Sequence, residues 1–428
     1  MFTLEAPRRA LAVGVQLPEV PDEEFHSSLS ELRRLAGTLG VEIVGTVTQK
    51  RSSFDAAAYL GEGKREELKQ LLGSMDPACD ALLVDHEISP SQARNLEKET
   101  GCDVLDRTQL ILEIFHHHAR SRAARAQVEI VRLEYMAPRL RESGKGKDRQ
   151  RGGIGGKGAG ESGLELDRRK IRDRVAALKA ELTALDDERR TQRARRVERT
   201  GVARVALVGY TNAGKSTWMR ALTGSEVYVA DKLFATLDTT VRELAPKSVP
   251  RVFVSDTVGF IKNLPHGLIA SFKSTLDEAL EASLLLQVVD AADPSFVREL
   301  EVTDAVLSDI GAGAVPRLLV FNKIDLVPHE NATRSALVER WPAAMILSAH
   351  RPADVEALHA ALAAFFARDL VEEELRVGWE QQSVRGEIFA HCQVLDERAD
   401  GDAAFFRVRC APEVLARLRT LLMPRPSE

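Results

Sequence analysis

The stretch Val202-Ala203-Arg204-Val205-Ala206-Leu207-Val208, running directly into Gly209-Tyr210-Thr211-Asn212-Ala213-Gly214-Lys215-Ser216, decides the fold. Its first seven residues are apolar apart from Arg204 and read as a strand; Trp218–Leu222 beyond the loop reads as a helix. A strand, a loop bracketed by glycines and closing on Lys-Ser, and a helix make a phosphate-binding loop in the context it requires. The glycines let backbone amides point at phosphates, Lys215 meets the β- and γ-phosphates, and Ser216 supplies an oxygen to Mg²⁺.

Three further motifs follow at the intervals such a fold demands. Asp256-Thr257-Val258-Gly259 closes the strand Val252–Ser255; its aspartate suits Mg²⁺ held through water, and the Gly259 amide suits the γ-phosphate. Asn322-Lys323-Ile324-Asp325 follows the strand Leu318–Phe321. A carboxylate at Asp325 accepts two hydrogen bonds from guanine N1–H and N2–H₂, a pair that adenine lacks, so the substrate is GTP rather than ATP. Ser348-Ala349-His350 follows the strand Met345–Leu347 and offers amides to guanine O6. Between the first two motifs lies Phe234-Ala235-Thr236-Leu237-Asp238, where Thr236 is the candidate to close onto Mg²⁺ when a γ-phosphate is present. Thr239 and Thr240 begin the next strand. Lys215, Thr236 and Asn212 are the candidate catalytic residues, and Ser216 and Thr236 the candidate metal ligands. The residue after Gly259 is Phe260, whose side chain can neither donate nor accept a hydrogen bond to an attacking water. Hydrolysis by the isolated chain is therefore expected to be slow and partner-stimulated.

The rest of the chain sets these motifs in a larger frame. Its 428 residues exceed one ordinary domain, and 44% hydrophobic residues suffice for several cores. The formal charge of −5 taken alone argues against a nucleic-acid binder, but the average conceals an asymmetry. Residues 119–199 hold 23 Lys and Arg against 13 Asp and Glu, so one segment is strongly basic and the remainder acidic. No apolar run approaches the ~18–20 residues of a membrane span, and the start shows no signal-peptide pattern. The four cysteines have no metal-ligand spacing, as expected of reduced thiols in a cytoplasmic protein. His116-His117-His118 reads as a solvated helix face before a metal site.

Residues 1–107 alternate short strands (Leu11–Leu17, Val41–Thr48, Ala81–Asp85, Cys102–Leu105) with helices, the pattern of a small parallel α/β domain. Gly61-Glu62-Gly63-Lys64 within it is either a phosphate cradle or a plain helix start. Residues 108–200 read as an antiparallel helical hairpin, with one helix from Thr108 to about Met136 and another from about Leu164 to Arg199. Ile171, Val175, Leu178, Leu182 and Leu185 form a heptad seam in the second. Leu110, Ile114, Ala124, Val128, Val131 and Tyr135 offer the same register in the first. The tip, 144–163, is glycine-rich and basic; Lys145, Lys147, Arg149, Arg151 and Lys157 are candidate RNA contacts. Residues 201–370 form the nucleotide-binding domain, and 371–428 a small C-terminal α/β unit of possible ferredoxin-like type.

Taken together these residues resemble the HflX family of ribosome-associated GTPases, along nearly the whole chain. The likeness rests on Phe234–Asp238, on Asp256–Phe260, on Gly152-Gly153-Ile154-Gly155 with Gly160-Glu161 and Leu164–Arg169, and on Tyr59–Leu68. It implies GTP and GDP contacts at the motifs above. It also implies a monomeric factor that binds the large ribosomal subunit and its RNA and splits or rescues stalled ribosomes under stress, without stable membrane insertion. Thr239 stands where the family usually has proline, and Lys157 and Ala159 replace its arginine and proline. A GTP-dependent regulatory switch acting through a protein partner, such as a protease, is the alternative. Asn212 either bonds locally within its loop or recruits a monovalent cation such as K⁺. The cation reading expects GTPase rates to differ between K⁺ and Na⁺ buffers of equal ionic strength, and equal rates would remove it.

Overall fold

The computed structural model describes residues 9–140, 163–197, 202–224, 233–234, 239–264, 268 and 278–423. Phe234 is therefore described, whereas Ala235, Thr236, Leu237, Asp238 and the basic-loop residues Lys145, Lys147, Arg149, Arg151 and Lys157 lie outside the described residues. The chain divides into two compact units. The first comprises Met1–Glu188, Lys232–Leu237 and Asn263–Phe272; the second comprises Arg189–Asp231, Asp238–Lys262 and Lys273–Glu428.

The first unit is built on strands β1 (Arg9–Gln16), β2 (Glu42–Lys50), β3 (Ala81–Val84) and β4 (Asp103–Asp106). They form a sheet of order β2-β1-β3-β4, parallel throughout. β1 and β3 lie inside the sheet and are covered on both faces, which is why they read as continuous apolar runs. Ala10, Ala12, Ala81 and Leu83 point to one side, where they meet Leu32 and Ala36 of α1 (Asp22–Thr38) and, further along the chain, Leu110. Leu11, Val13, Leu82 and Val84 point to the other, against Leu68 of α2 (Glu62–Gly73) and Leu96 of α3 (Pro90–Thr100). Gly61 stands directly before α2 and Gly63 lies in its first turn. The Gly61 amide donates to Gln49 Oε1 at 2.9 Å, and the Lys64 ammonium lies 2.6 Å from Glu67.

The single helix expected from Thr108 to Met136 is two. α4 (Arg107–His118) begins on Asp106, whose carboxylate accepts the Gln109 amide, and α5 (Arg122–Met136) begins on Ser121, whose hydroxyl accepts the Ala124 amide. A second N-cap with extended backbone (φ −70°, ψ 155°) breaks the first helix where its heptad pattern ran through. The break also shifts the seam. α6 (Gly163–Val197) meets α5 through Val175, Leu178 and Leu182 against Ala126, Ile130 and Leu133. Leu110 belongs instead to the sheet core, and the Tyr135 hydroxyl donates to Asp106. Arg122–Glu181 and Arg174–Glu129 pairs, both at 2.9 Å, run in opposite chain directions, as an antiparallel hairpin requires.

The second unit carries β5 (Val202–Gly209), α7 (Lys215–Thr223), β6 (Thr240–Glu243), β7 (Arg251–Asp256), β8 (Leu284–Asp290), α8 (Phe296–Asp309), β9 (Arg317–Asn322), α9 (Glu330–Arg340), β10 (Met345–Ile346) and α10 (Pro352–Ala367). Its sheet has the order β10-β9-β8-β5-β7-β6, parallel except for β6 at one edge. The sheet core is formed by Val205, Leu207, Val252, Val254, Leu286, Val288 and Val320 with Trp218 and Leu222 of α7 and Leu358 and Leu362 of α10. β11 (Val371–Gly378), α11 (Gln382–His391), β12 (Gln393–Asp400), β13 (Ala403–Cys410) and α12 (Pro412–Leu422) follow, forming an antiparallel sheet of order β11-β13-β12. Cys392 and Cys410 are buried there as free thiols. Among the described residues no helix is long and apolar enough to cross a membrane.

One buried ionic cluster holds α1 and α4 to the first sheet. Arg107, 1% exposed, pairs with Asp85 at 2.9 Å and with Glu31. Replacing Arg107 with Ala leaves two carboxylates buried without their cation, so urea denaturation of that unit at pH 7 should lose about 3–5 kcal/mol.

Candidate functional site

The C-terminal ends of β5, β7, β8, β9 and β10 converge at one edge of the second sheet, the edge at which open α/β sheets place their ligands. The loop after β5 needs its glycines for steric reasons. At Gly209 (φ +145°) a side-chain carbon would stand 2.2 Å from the Val288 carbonyl oxygen. At Gly214 (φ +98°) it would stand 2.2 Å from Asn322 Nδ2. Only glycine lets the loop turn this tightly against β8 and β9, and the turn opens the helix α7 with its first amides at the sheet edge.

Lys215 begins that helix and is 7% exposed. Its ammonium donates to the carbonyls of Gly209 (3.1 Å) and Tyr210 (2.7 Å). Burial pushes its pKa down to about 8, with the Asp256 carboxylate opposing the shift. The Ser216 hydroxyl donates to Asp256 Oδ2 at 2.7 Å. These two oxygens, one from the loop and one from the end of β7, converge on one spot. They are hard donors of the kind that Mg²⁺ takes. Among the described residues no group of three His, Cys, Asp or Glu could hold a metal ion by itself. Thr257 and Val258 are buried beneath the site, with the Thr257 hydroxyl bonded to the Leu207 carbonyl at 2.6 Å.

Asn322 ties the two halves of the site together. Its Nδ2 donates to the Ala213 carbonyl at 2.8 Å, and its Oδ1 accepts the Ala349 amide at 3.1 Å. Lys323 (φ +61°) follows, its ammonium 2.7 Å from Asp290 Oδ2. Ile324 is fully buried, whereas Asp325 stands exposed at the edge. Ser348 is buried; its amide donates to Asp354 Oδ2 at 2.8 Å, and its hydroxyl accepts the His350 amide at 3.2 Å. Asn212 is half-buried with φ +61°. Thus the structure brings the residues of 209–216, 256–259, 322–325 and 348–350 to one edge. Phe234 is described within the first unit, where its ring centroid lies 4.5 Å from that of Phe115 and its carbonyl accepts His118 Nδ1–H at 2.7 Å.

Motif reading missed three supporting groups. Asp290 closes the apolar run Leu284–Val289, and a carboxylate ending such a strand at the sheet edge was the available signal. Asp354, which holds the Ser348 amide, and the Glu330–Arg351 pair at 2.7 Å, which joins α9 to the start of α10, carry no local sequence signal.

A sheet of this topology, with a glycine-bounded loop, a Ser–Asp oxygen pair and an Asn-Lys-x-Asp turn on one edge, is that of a P-loop GTPase. Residues 26–116 match the family described as GTP-binding GTPase N-terminal, 118–196 the GTP-binding GTPase Middle Region, and 204–323 the 50S ribosome-binding GTPase. The chain is 52% identical to GTPase HflX of Gluconacetobacter diazotrophicus over 97% of its own length and 98% of the relative's. It is 37% identical to GTPase HflX of Escherichia coli over 90% and 89%. A crystal structure of the SsGBP and GDP complex is similar over 84% of this chain and 99% of that one, at 22% identity and a TM-score of 0.48. The chain belongs to the HflX GTPase family, and it binds and hydrolyses GTP.

The depressed pKa of Lys215 has a measurable sign. Between about pH 8 and 10.5 the unfolded chain holds a proton that the folded lysine has released, so this residue makes stability rise with pH across that window. In nucleotide-free buffer Lys215→Met should flatten the rise, by up to about 3 kcal/mol between the two limits, as read from urea melts of variant and parent.

Proposed function

We propose that this GTPase is a nucleotide-switched factor that binds the large ribosomal subunit through its basic loop and splits or rescues stalled ribosomes in the cytoplasm under stress. The observation that carries the nucleotide part is the convergence of Lys215, the Ser216–Asp256 pair, Asn322 and Asp325 on one sheet edge. The loop 209–216 cradles the phosphates, with Lys215 turning its ammonium from the loop carbonyls to the β- and γ-phosphates. Asn322 holds the loop and the Ser348–His350 turn in register, Asp325 accepts from the guanine edge, and Ala349 and His350 present amides to O6. Bound Mg²⁺, on Ser216 and Thr236, would neutralise charge developing on the phosphates. Phe234–Asp238 and Asp256–Gly259 are the two switch segments.

Phe260 is buried, and its side chain has no group to orient water, so the partner supplies or positions what the chain lacks. Support for a ribosomal partner comes from the match of residues 204–323 to the 50S ribosome-binding GTPase family and from the charge of residues 119–199. An acidic body with one basic arm directs binding to a polyanion through that arm.

Sedimentation with ribosomes and a non-hydrolysable GTP analogue tests this reading: co-migration with large subunits is expected. Replacing Lys145, Lys147, Arg149, Arg151 and Lys157 together with Ala should weaken that binding and reduce its log–log salt dependence by up to about 4, while GTP binding persists. Failure to co-migrate even at low salt would sink the ribosomal reading and favour a protein partner.

A further inference from the structure

The segment after Asp256-Thr-Val-Gly is fastened to the phosphate loop by three hydrogen bonds. Two are backbone to backbone: Phe260 N–H donates to the Gly209 carbonyl at 3.1 Å, and Thr211 N–H donates to the Phe260 carbonyl at 2.7 Å. They extend β5 by a parallel bridge between Tyr210 and Phe260. The third comes from a side chain. The hydroxyl of Tyr210, whose ring is buried, accepts the backbone N–H of Lys262 at 2.8 Å. Any residues at these positions can make the first two bonds, but the third exists only because position 210 is tyrosine.

Gly259, one residue before this fastening, packs against the same loop. A side-chain carbon built on Gly259 would lie 2.8 Å from Thr211 Cα and 2.9 Å from Lys215 Nζ, so glycine, loop and ammonium are in close contact. A γ-phosphate that engages both the Lys215 ammonium and the Gly259 amide competes for the ammonium now packed against Gly259, whereas a diphosphate ends one group earlier.

We propose that Tyr210 is a positioning residue that sets the preference between the two nucleotides: its hydroxyl holds Lys262, and with it Gly259 and Phe260, in the arrangement that accepts GDP and resists GTP. The proposal rests on the nucleotide site described above. Its logic is linkage, since a ligand shifts a two-state element only by its differential affinity for the two states. Tyr210→Phe keeps the ring and its packing, removes one bond from the closed arrangement, and leaves the Lys262 amide there without that acceptor. The open arrangement, with that amide in water, loses nothing.

The test compares the full-length chain with Tyr210→Phe by equilibrium titration with fluorescent GDP and with a fluorescent non-hydrolysable GTP analogue, both in Mg²⁺. The expected result is a GTP-analogue to GDP affinity ratio raised about fivefold, the factor that one hydrogen bond sets. An unchanged ratio, a ratio shifted toward GDP, or equal weakening of both nucleotides would overturn the proposal, the last assigning Tyr210 a structural role only. If the variant does not fold, amide hydrogen exchange on the parent chain decides. The Lys262 amide should be protected with GDP and released with the GTP analogue, and equal protection in both would overturn the idea. A parent chain that bound neither nucleotide would overturn the site reading itself, and the proposal with it.

Discussion

Everything at the nucleotide edge hangs on the side-chain amide of Asn322. It has one donor and one acceptor aimed in different directions, and it spends the donor on the Ala213 carbonyl and the acceptor on the Ala349 amide. A carboxylate in its place would meet a carbonyl oxygen with no proton to offer. The phosphate loop and the base-recognition turn come from β5 and β10, with β8 and β9 between them in the sheet. Asn322, at the end of β9, is the group that sets their separation. The same contact explains Gly214, because the amide comes so close that no side-chain carbon fits there. One hydrogen-bonded residue thus constrains backbone conformation, phosphate geometry and base geometry together.

Around this fixed frame lie groups that are held less firmly. Lys215 is bonded to carbonyls, acceptors that carry only partial charge, and its burial makes the ammonium costly enough to lower its pKa to about 8. An arriving phosphate offers full negative charge in the same low-dielectric setting, so the lysine gains more from the ligand than it loses from the loop. The Ser216 hydroxyl and the Asp256 carboxylate are likewise bonded to each other. A site arranged in this way can exchange internal partners for ligand.

How much of this was legible beforehand depended on whether the signal was local. The strand–loop–helix unit, the Asp256 strand end and the Asn322–Asp325 turn are each contiguous, and the structure brings them to one edge. Most strands of the two α/β sheets were visible because covered central strands are continuous apolar runs between turn signals, as in Leu82–Val84 and Val205–Val208, although the central strand Leu284–Asp290 was not read. The hairpin was misjudged for the opposite reason. A heptad pattern says which residues are apolar, not which surface claims them. Leu110 is claimed by the first sheet, and Ser121 caps a new helix inside what had looked like one continuous run. The Lys323–Asp290 pair and the Tyr210–Lys262 bond span 33 and 52 residues, and nothing local marks them.

The formal charge of −5 takes on its meaning from this division. The phosphate site in the acidic part of the chain relies on backbone amides at a helix start and on one lysine, so it recognises an anion by shape at short range. Residues 119–199 carry the opposite strategy, a dense set of cations in sequence, suited to a polyanion whose phosphates repeat. Salt discriminates between the two, because screening weakens exposed, separated charges far more than a buried pair. On the ribosomal reading proposed above, nucleotide binding and polyanion binding respond to different variables: nucleotide binding to the fit of Gly259, Lys215 and Asn322, polyanion binding to ionic strength. A switch can then change its affinity for a large anionic partner without giving up its hold on a small one.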